Sequence, residues 1–211
     1  MLSTYTYPKF EYVCPPEVAE QRSGHYPVVI VGAGPVGLSM AIDLAAQGQQ
    51  VLLLDNDDTV SIGSRGVCYA KRTLEVLDRL NCGAPAVQKG VSWNVGRTFF
   101  GDGEVFNFNL CPQEGHQRPG MVNLQQYYLE DYLVARARQL PNLEMRFKNN
   151  VISVEQDDAQ ATVRVETPDG AYTLTTDWLV AADGARSPIR TMLGLDIDGK
   201  IFMDRFLIAD V

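Results

Sequence analysis

The sequence predicts an α/β protein built on a parallel β-sheet, with a small antiparallel meander in its second half. A strand, a glycine turn, a helix and a second strand follow one another over Pro27–Asp57, and another buried strand, Trp178–Ala182, runs into an Asp-Gly turn. Both patterns are typical of α/β architecture. Short strands bounded by turn residues, between residues 144 and 175, predict the meander.

The composition is that of an ordinary globular protein. Its 211 residues, 45% hydrophobic and 21% charged, suffice for one domain with a sizeable core. A net charge of -8 argues against nucleic acid or an anionic membrane as the main partner. The four cysteines are widely spaced without a C-x-x-C pair, so we expect reduced thiols and no metal site. The sequence shows neither a signal peptide nor a membrane-spanning run, so we expect a cytoplasmic protein, and a homo-oligomer is compatible with the sequence.

The elements of the first βαβ unit follow in order. Residues 1–26 contain several prolines and show no periodicity, which predicts an irregular arm. Val28–Val31 is a short β-branched run typical of a buried parallel strand. A helix with one apolar face comes next and ends at Gly48, before the second strand, Val51–Leu54. The apolar positions of that helix are Leu38, Ala41, Ile42 and Ala45.

The turn inside this unit has the glycine spacing of a Rossmann-like dinucleotide site. Gly32 permits a tight turn, Gly34 lets the backbone approach a pyrophosphate, and Gly37 lets the helix pack closely on the strand. N–H groups at the helix start and the positive end of its dipole favour phosphate. Pro35 costs little there, because its missing N–H would have no partner within the helix.

An acidic residue ends the second strand. The Asp55 carboxylate can accept hydrogen bonds from both hydroxyls of an adenosine ribose. Asn56, Asp57 and Asp58 follow, and this negative cluster disfavours a 2′-phosphate, which argues against NADP at this site. NAD and FAD both remain open, because each presents an unmodified adenosine diphosphate.

The middle of the chain predicts two helices and a hairpin. Lys71–Leu80 is an amphipathic helix, and Arg97–Phe100 and Val105–Leu110 flank a Gly-Asp-Gly turn as the strands of a hairpin. Residues 111–120 form a loop, and Gln125–Gln139 is a long helix. The four strands of the predicted meander are Glu144–Phe147, Val151–Gln156, Thr162–Glu166 and Tyr172–Thr175.

The turn after the last buried strand carries a second candidate motif. Gly184 allows a sharp turn, Asp183 can orient backbone or ribose groups, and Arg186 can meet a phosphate. Ser187 and Pro188 suit the N-cap and first positions of a helix. By itself this stretch is more often a structural turn than a binding site.

Taken together, these motifs resemble those of a known family. The chain resembles the FAD-dependent aromatic hydroxylases of the para-hydroxybenzoate hydroxylase type, most of all the 3-(3-hydroxyphenyl)propionate hydroxylase-like branch. The likeness is carried, in order, by GAGPVG, the acid at Asp55, SRGVCYAKRTLEVLDRL, NLQQYYLEDYL and AADGARSPIR. It covers about residues 27–211 and implies a Rossmann-like FAD-binding fold of the glutathione-reductase type.

The resemblance also implies roles for individual residues. The glycine motif would bind the adenosine diphosphate of FAD, and the Asp-Gly motif would lie near the pyrophosphate and take part in both FAD and NAD(P)H binding. Arg65 would contact the flavin side, and Gln126, with Gln125 as second choice, would touch the flavin; without the resemblance both would be taken as ordinary surface residues. No side chain is assigned a catalytic role. The residues predicted to bind the cofactor are Gly32, Ala33, Gly34, Pro35, Val36, Gly37, Asp55, Asn56, Arg65, Gln126, Val151, Asp183, Gly184 and Arg186.

The activity that the resemblance implies is aromatic hydroxylation. NAD(P)H binds transiently and reduces FAD, and the reduced flavin reacts with O₂ to give a C4a-hydroperoxyflavin. This species hydroxylates a small phenolic or similar aromatic substrate. The protein contributes position, electrostatics and exclusion of water, while the cofactor carries the chemistry.

The resemblance further implies that the chain is the N-terminal portion of a larger hydroxylase, because a second Gly-Asp motif and the mixed sheet over the substrate pocket do not occur in it. We expect an arm over 1–26, an FAD-binding domain over 27–200 with an excursion over 93–120 toward the substrate domain, and the first strand of that domain within 201–211. The alternatives are an inactive nucleotide-binding fragment or another flavoprotein oxidoreductase of the same fold. A halogenase is less favoured, since Trp93 and Trp178 do not form a Trp-x-Trp motif.

Overall fold

The computed structural model of the protein describes residues 5–63 and 65–207. Its helices are α1 (Pro16–Ala19), α2 (Pro35–Ala46), α3 (Lys71–Arg79), α4 (Gly83–Lys89), α5 (Gln126–Ala137) and α6 (Pro188–Met192). Its strands are β1 (Gly24–Val31), β2 (Val51–Leu54), β3 (Cys68–Ala70), β4 (Val91–Trp93), β5 (Val95–Phe100), β6 (Gly103–Asn109), β7 (Met121–Asn123), β8 (Leu143–Arg146), β9 (Asn150–Gln156), β10 (Ala161–Thr167) and β11 (Gly170–Ala181).

One six-stranded mixed sheet organises the fold, with the strand order β8-β2-β1-β11-β10-β9. Neighbouring strands from β8 to β11 run parallel, and β11, β10 and β9 pair antiparallel. A three-stranded sheet, β3-β7-β4, and the β5–β6 hairpin complete the described sheets. The predicted α/β fold class, with a parallel sheet and an antiparallel meander, is confirmed.

The core lies on both faces of the parallel strands. Successive residues of a strand point to opposite faces, so Val28 and Ile30 face one apolar cluster and Val29 and Val31 face the other. The first cluster includes apolar residues of α2, α3, α4 and α5, and the second includes residues of β9, β10 and β11 together with Ile189 of α6. The four predicted apolar positions of α2 are all buried, which confirms the helical period.

Two details of the predicted meander are wrong. Residues 144–147 were assigned to it, but β8 pairs parallel with β2 at the edge of the main sheet. A strand that returns through a helix, here α5, joins its sheet in parallel, and alternation alone does not reveal this direction. The strands predicted at Tyr172–Thr175 and Trp178–Ala182 form the single strand β11, which pairs with β10 through its first half and with β1 through its second.

The chain termini also differ from expectation. The arm is not wholly irregular, because Pro16–Ala19 is helical and the first strand begins at Gly24 rather than near Val28. No strand is present over residues 202–207, and residues 208–211 of the predicted strand lie outside the described ranges. The predicted division at residue 200 stays a prediction.

Candidate functional site

A cleft of about 420 Å³ opens at the carboxyl ends of β1, β2 and β11. Ligands of open α/β sheets bind at this edge, where the loops that follow the parallel strands converge. The turn after β1, the loop after β2, the first turns of α5, the start of β9 and the turn after β11 all line the cleft. Its position alone makes it the candidate binding site of the described chain.

The glycine turn forms one wall of the cleft. Gly32 has a φ of 106°, which favours glycine, and a Cβ at Gly32 or at Gly37 would collide with main-chain atoms of the turn or of β11's end. Gly34 differs: its backbone is extended and no atom lies within 4 Å of a Cβ built there. No side chain caps α2, so the N–H groups of its first turn are available to an anion.

Asp55 ties this turn to the loop after β2. Its Oδ2 accepts a hydrogen bond from the Ala33 N–H (2.5 Å), and its Oδ1 accepts one from the Asp57 N–H (2.8 Å). Burial raises the pKa of the Asp55 carboxyl above its ordinary value, and these two hydrogen bonds oppose the rise. Each carboxylate oxygen keeps acceptor capacity, so ribose hydroxyls can still be bound.

The carboxylates that line the cleft differ in part from the acidic cluster that the sequence predicts. Asp57 and Glu130 line the cleft beside Asp55. Asp58 does not line it. Its carboxylate instead binds Lys9 (2.7 Å) and Lys148 (2.9 Å), which lower its pKa to about 2. The carboxylates that would repel a 2′-phosphate are therefore Asp55, Asp57 and Glu130.

A hydrogen-bond network joins α5 to the loop after β2. The Gln126 side-chain oxygen accepts from the Gly66 N–H (3.0 Å), and its Nε2 donates to Glu130 Oε1 (2.7 Å). Glu130 is buried, and its Oε2 accepts from the Ser61 N–H (2.5 Å). Gln126 thus holds the backbone next to the exposed Arg65, and its predicted contact with flavin stays a prediction.

The turn after β11 is organised by a carboxylate. Gly184 has a φ of 85° with open space around it. Asp183 Oδ2 accepts hydrogen bonds from the Ser187 hydroxyl (2.8 Å) and from the Ile189 N–H (3.1 Å). Ser187 in turn accepts from the Arg190 N–H at the N-cap position, as predicted. Asp183 therefore shapes the start of α6 as well as lining the cleft.

The structure brings most predicted cofactor-binding residues together. Those that line the cleft are Gly32, Ala33, Gly34, Asp55, Asn56, Arg65, Gln126, Val151, Asp183, Gly184 and Arg186. Three do not: Pro35 and Val36 border a separate groove between α2 and α3, and Gly37 is buried beneath the turn. That these residues bind a cofactor stays a prediction.

The sequence did not indicate several polar residues that line the cleft. Asn149 and Asn150 reach it because β8 runs parallel to β2, so the residues that follow β8 arrive at the same edge of the sheet. Thr59 and Ser61 lie further along the loop after β2. One sequence feature could have indicated Glu130: it lies four residues after Gln126 and is therefore its neighbour on the surface of the same helix.

Neither a metal-ligand cluster nor a membrane-spanning helix is present among the described residues. Across residues 5–63 and 65–207, no group of three or more His, Cys, Asp or Glu side chains is placed to hold a metal ion. Within the same ranges, no helix has both the length and the apolar character needed to cross a membrane.

Sequence comparisons give relatives over most of the chain. The model of the FAD-binding domain family matches residues 25–211. Para-nitrophenol 4-monooxygenase of Pseudomonas sp. (strain WBC-3) is 34% identical over 187 residues, covering 87% of this chain and 46% of that protein. The 3-(3-hydroxy-phenyl)propionate/3-hydroxycinnamic acid hydroxylase 2 of Burkholderia vietnamiensis (strain G4 / LMG 22486) is 32% identical over 191 residues, covering 87% of this chain and 34% of that protein.

Solved structures of related proteins have a similar fold over most of the chain. The p-nitrophenol 4-monooxygenase PnpA from Pseudomonas putida DLL-E4 superposes with a TM-score of 0.79 at 31% identity, over 85% of this chain and 46% of that one. A ternary complex of aklavinone-11 hydroxylase with FAD and aklavinone gives a TM-score of 0.70 at 30% identity, over 82% of this chain and 35% of that one. The chain spans less than half the length of each of these relatives.

Proposed function

Because the chain belongs to the FAD-binding domain family, we propose that it forms the cofactor-binding portion of a flavin-dependent monooxygenase that hydroxylates a phenolic or similar aromatic compound. The resemblance to FAD-dependent aromatic hydroxylases is confirmed by this family and by the hydroxylases among the relatives. The proposed reaction is supported by the names of those relatives, a p-nitrophenol monooxygenase and a 3-(3-hydroxyphenyl)propionate hydroxylase.

The observation that carries the proposal is the fit of the cleft to an adenosine diphosphate. Gly34 presents bare backbone to open space next to the uncapped start of α2, where a pyrophosphate would be bound. Asp55, at the end of β2, would hold the adenosine ribose. Arg65 and Gln126 stand on the α5 side of the cleft and would meet the flavin half of the molecule.

The charges of the cleft support FAD rather than NADP. Three carboxylates, Asp55, Asp57 and Glu130, line the cleft. A 2′-phosphate there would face like charge in a partly buried place, where screening by water is weak. FAD carries no such phosphate.

When bound, FAD would supply the redox chemistry, taking a hydride from NAD(P)H and activating O₂ at its C4a position for transfer to the aromatic ring. The chain's own residues would bind the cofactor and orient it. The glycine turn and α2 position the pyrophosphate, Asp55 holds the ribose and links the turn to the next loop, and Asp183 shapes the turn at which β11 ends. NAD(P)H, the aromatic substrate and O₂ are the proposed co-substrates.

The test is a flavin titration of the purified chain with a competition series. We expect FAD to bind with quenching of its fluorescence, ADP to compete, and FMN, which lacks the adenosine, to compete poorly. The 2′-phosphorylated ADP should compete more weakly than ADP. Tight binding of NAD without binding of FAD would contradict the proposal. Bound FAD together with NAD(P)H oxidation that a phenol stimulates would rule out the alternative of an inactive nucleotide-binding fragment.

A further inference from the structure

The part of the N-terminal arm that contacts the loop after β2 lies within residues 5–15. It precedes the part of the chain that the family model matches, which begins at residue 25. Tyr5 stacks on Tyr127 in the first turn of α5, with ring centroids 4.3 Å apart. Phe10 is 5% exposed and stacks on Phe147, just after β8, at 4.4 Å. The arm is therefore anchored at two places on either side of the loop that follows β2.

Between these anchors, the arm binds one segment of that loop, residues 58–63. The Tyr7 hydroxyl accepts a hydrogen bond from the Gly63 N–H (3.2 Å). The Thr59 hydroxyl donates to the Pro8 carbonyl (2.6 Å). The Asp58 carbonyl accepts a hydrogen bond from the Phe10 N–H (2.7 Å), and the Asp58 carboxylate accepts one from the Lys9 ammonium (2.7 Å). Each residue from 7 to 10 thus contacts segment 58–63.

Two residues of segment 58–63 form part of the cleft wall. Thr59 and Ser61 line it, and the segment connects Asp57 to the stretch that carries Arg65. On its other side the buried Glu130 accepts from the Ser61 N–H. The segment is therefore held between α5 and the arm, although Ile62 and Gly63 are exposed and the segment has no regular secondary structure.

We propose that the arm is a strap that holds segment 58–63, and with it Arg65, in place for FAD, and that Tyr7, which binds the end of the segment nearest Arg65, is a positioning residue. The inference rests on the proposed function, since it names FAD as the ligand. Ordering a loop upon binding costs conformational entropy, so a loop already ordered by the arm binds its ligand more tightly. Tyr7 acts through Gly63 and is not assigned a contact with the cofactor.

The experiment compares Tyr7→Phe with Tyr12→Phe in the full chain. Both variants delete one hydroxyl from the arm, but the Tyr12 hydroxyl donates to Oγ1 of Thr167 (3.1 Å), the last residue of β10, which does not line the cleft. Loss of one hydrogen bond that orders the loop should weaken FAD binding about fivefold in Tyr7→Phe. Tyr12→Phe should bind FAD as the parent does.

Trypsin, which cuts after arginine and lysine, provides a second readout that does not depend on the ligand, because Arg65 is itself exposed. Tyr7→Phe should be cut faster after Arg65, while cutting after Arg97 in the exposed hairpin stays constant. A parent that binds no FAD refutes the proposed function. A parent that binds FAD with an affinity equal to that of Tyr7→Phe refutes the strap alone, as does an equal loss in Tyr7→Phe and Tyr12→Phe.

Discussion

Replacing Gly34 by valine separates cofactor binding from folding. Gly34 has φ −76° and ψ −178°, which any residue adopts, and a Cβ built there has no neighbour within 4 Å. Because Gly34 is the N-cap residue of α2, where valine is less favourable than glycine, the free energy of unfolding should fall by no more than about 1 kcal/mol. The new side chain would, however, occupy the place where the pyrophosphate approaches the backbone.

The expected loss of affinity follows from two contributions. Steric displacement of a closely packed group costs about 1–3 kcal/mol, and weakening a hydrogen bond to a charged phosphate costs a further ~1.5 kcal/mol. A total of about 3 kcal/mol corresponds to a roughly 150-fold higher Kd. Flavin fluorescence titration measures the affinity, and urea unfolding measures the stability.

Two other variants complete the series. Ser39→Val places the same side chain on α2 outside the cleft. It should change neither the Kd for FAD nor the free energy of unfolding appreciably. Gly37→Ala should instead lower the stability by about 1–3 kcal/mol, because its Cβ would collide with the Gly32 carbonyl oxygen. A Kd for Gly34→Val within threefold of the parent would refute the placement of the pyrophosphate.

Three further predictions concern charged groups. Asp55→Asn should weaken FAD binding about tenfold through loss of a charge-assisted hydrogen bond, and competition titrations should show a smaller preference for ADP over its 2′-phosphorylated form. Asp183→Ala should lower the stability by about 1 kcal/mol in urea, because the Ile189 N–H loses its acceptor. Glu17→Gln should lower the stability by about 3 kcal/mol, since Glu17 and Arg146 form a buried ion pair at 2.9 Å. Burial acts to raise the pKa of Glu17, but hydrogen bonds from its own backbone N–H and from Tyr26, together with Arg146, lower it overall. An acid with a lowered pKa stabilises the fold above its unfolded pKa, so the parent should lose this stability as the pH falls through the folded pKa, and Glu17→Gln should show a flatter acid limb.

The βαβ unit could be predicted almost residue by residue, because its determinants are local. β2 was expected at Val51–Leu54 and is found there, and Gly48 follows the end of α2 with a φ of 89°. Helical period, β-branched runs and glycine each act over a few residues, so the sequence displays them directly. Asp55 was found for the same reason, since it directly follows a strand.

Arg65 and Gln126 were identified by resemblance to a family, and no local pattern marks either as a binding residue. In the structure they are joined by contacts distant in sequence, such as the hydrogen bond from the Gly66 N–H to Gln126. Asn149 could not be placed at all, because its position depends on β8 pairing parallel with β2. Pairing direction is set by how a helix packs between two strands, which no short pattern reports.

The sequence by itself determined the nucleotide-binding unit, its acidic partner and, through ordered motifs, the family. Tertiary structure alone decided which polar groups surround the cleft and what holds them there. The arm shows the difference most clearly: its proline-containing sequence predicted only irregular chain, yet Tyr7 and Phe10 bind segment 58–63 and β8's end. Such contacts join residues that lie from about fifty to 137 positions apart, and their strength depends on burial and geometry that exist only once the chain has folded.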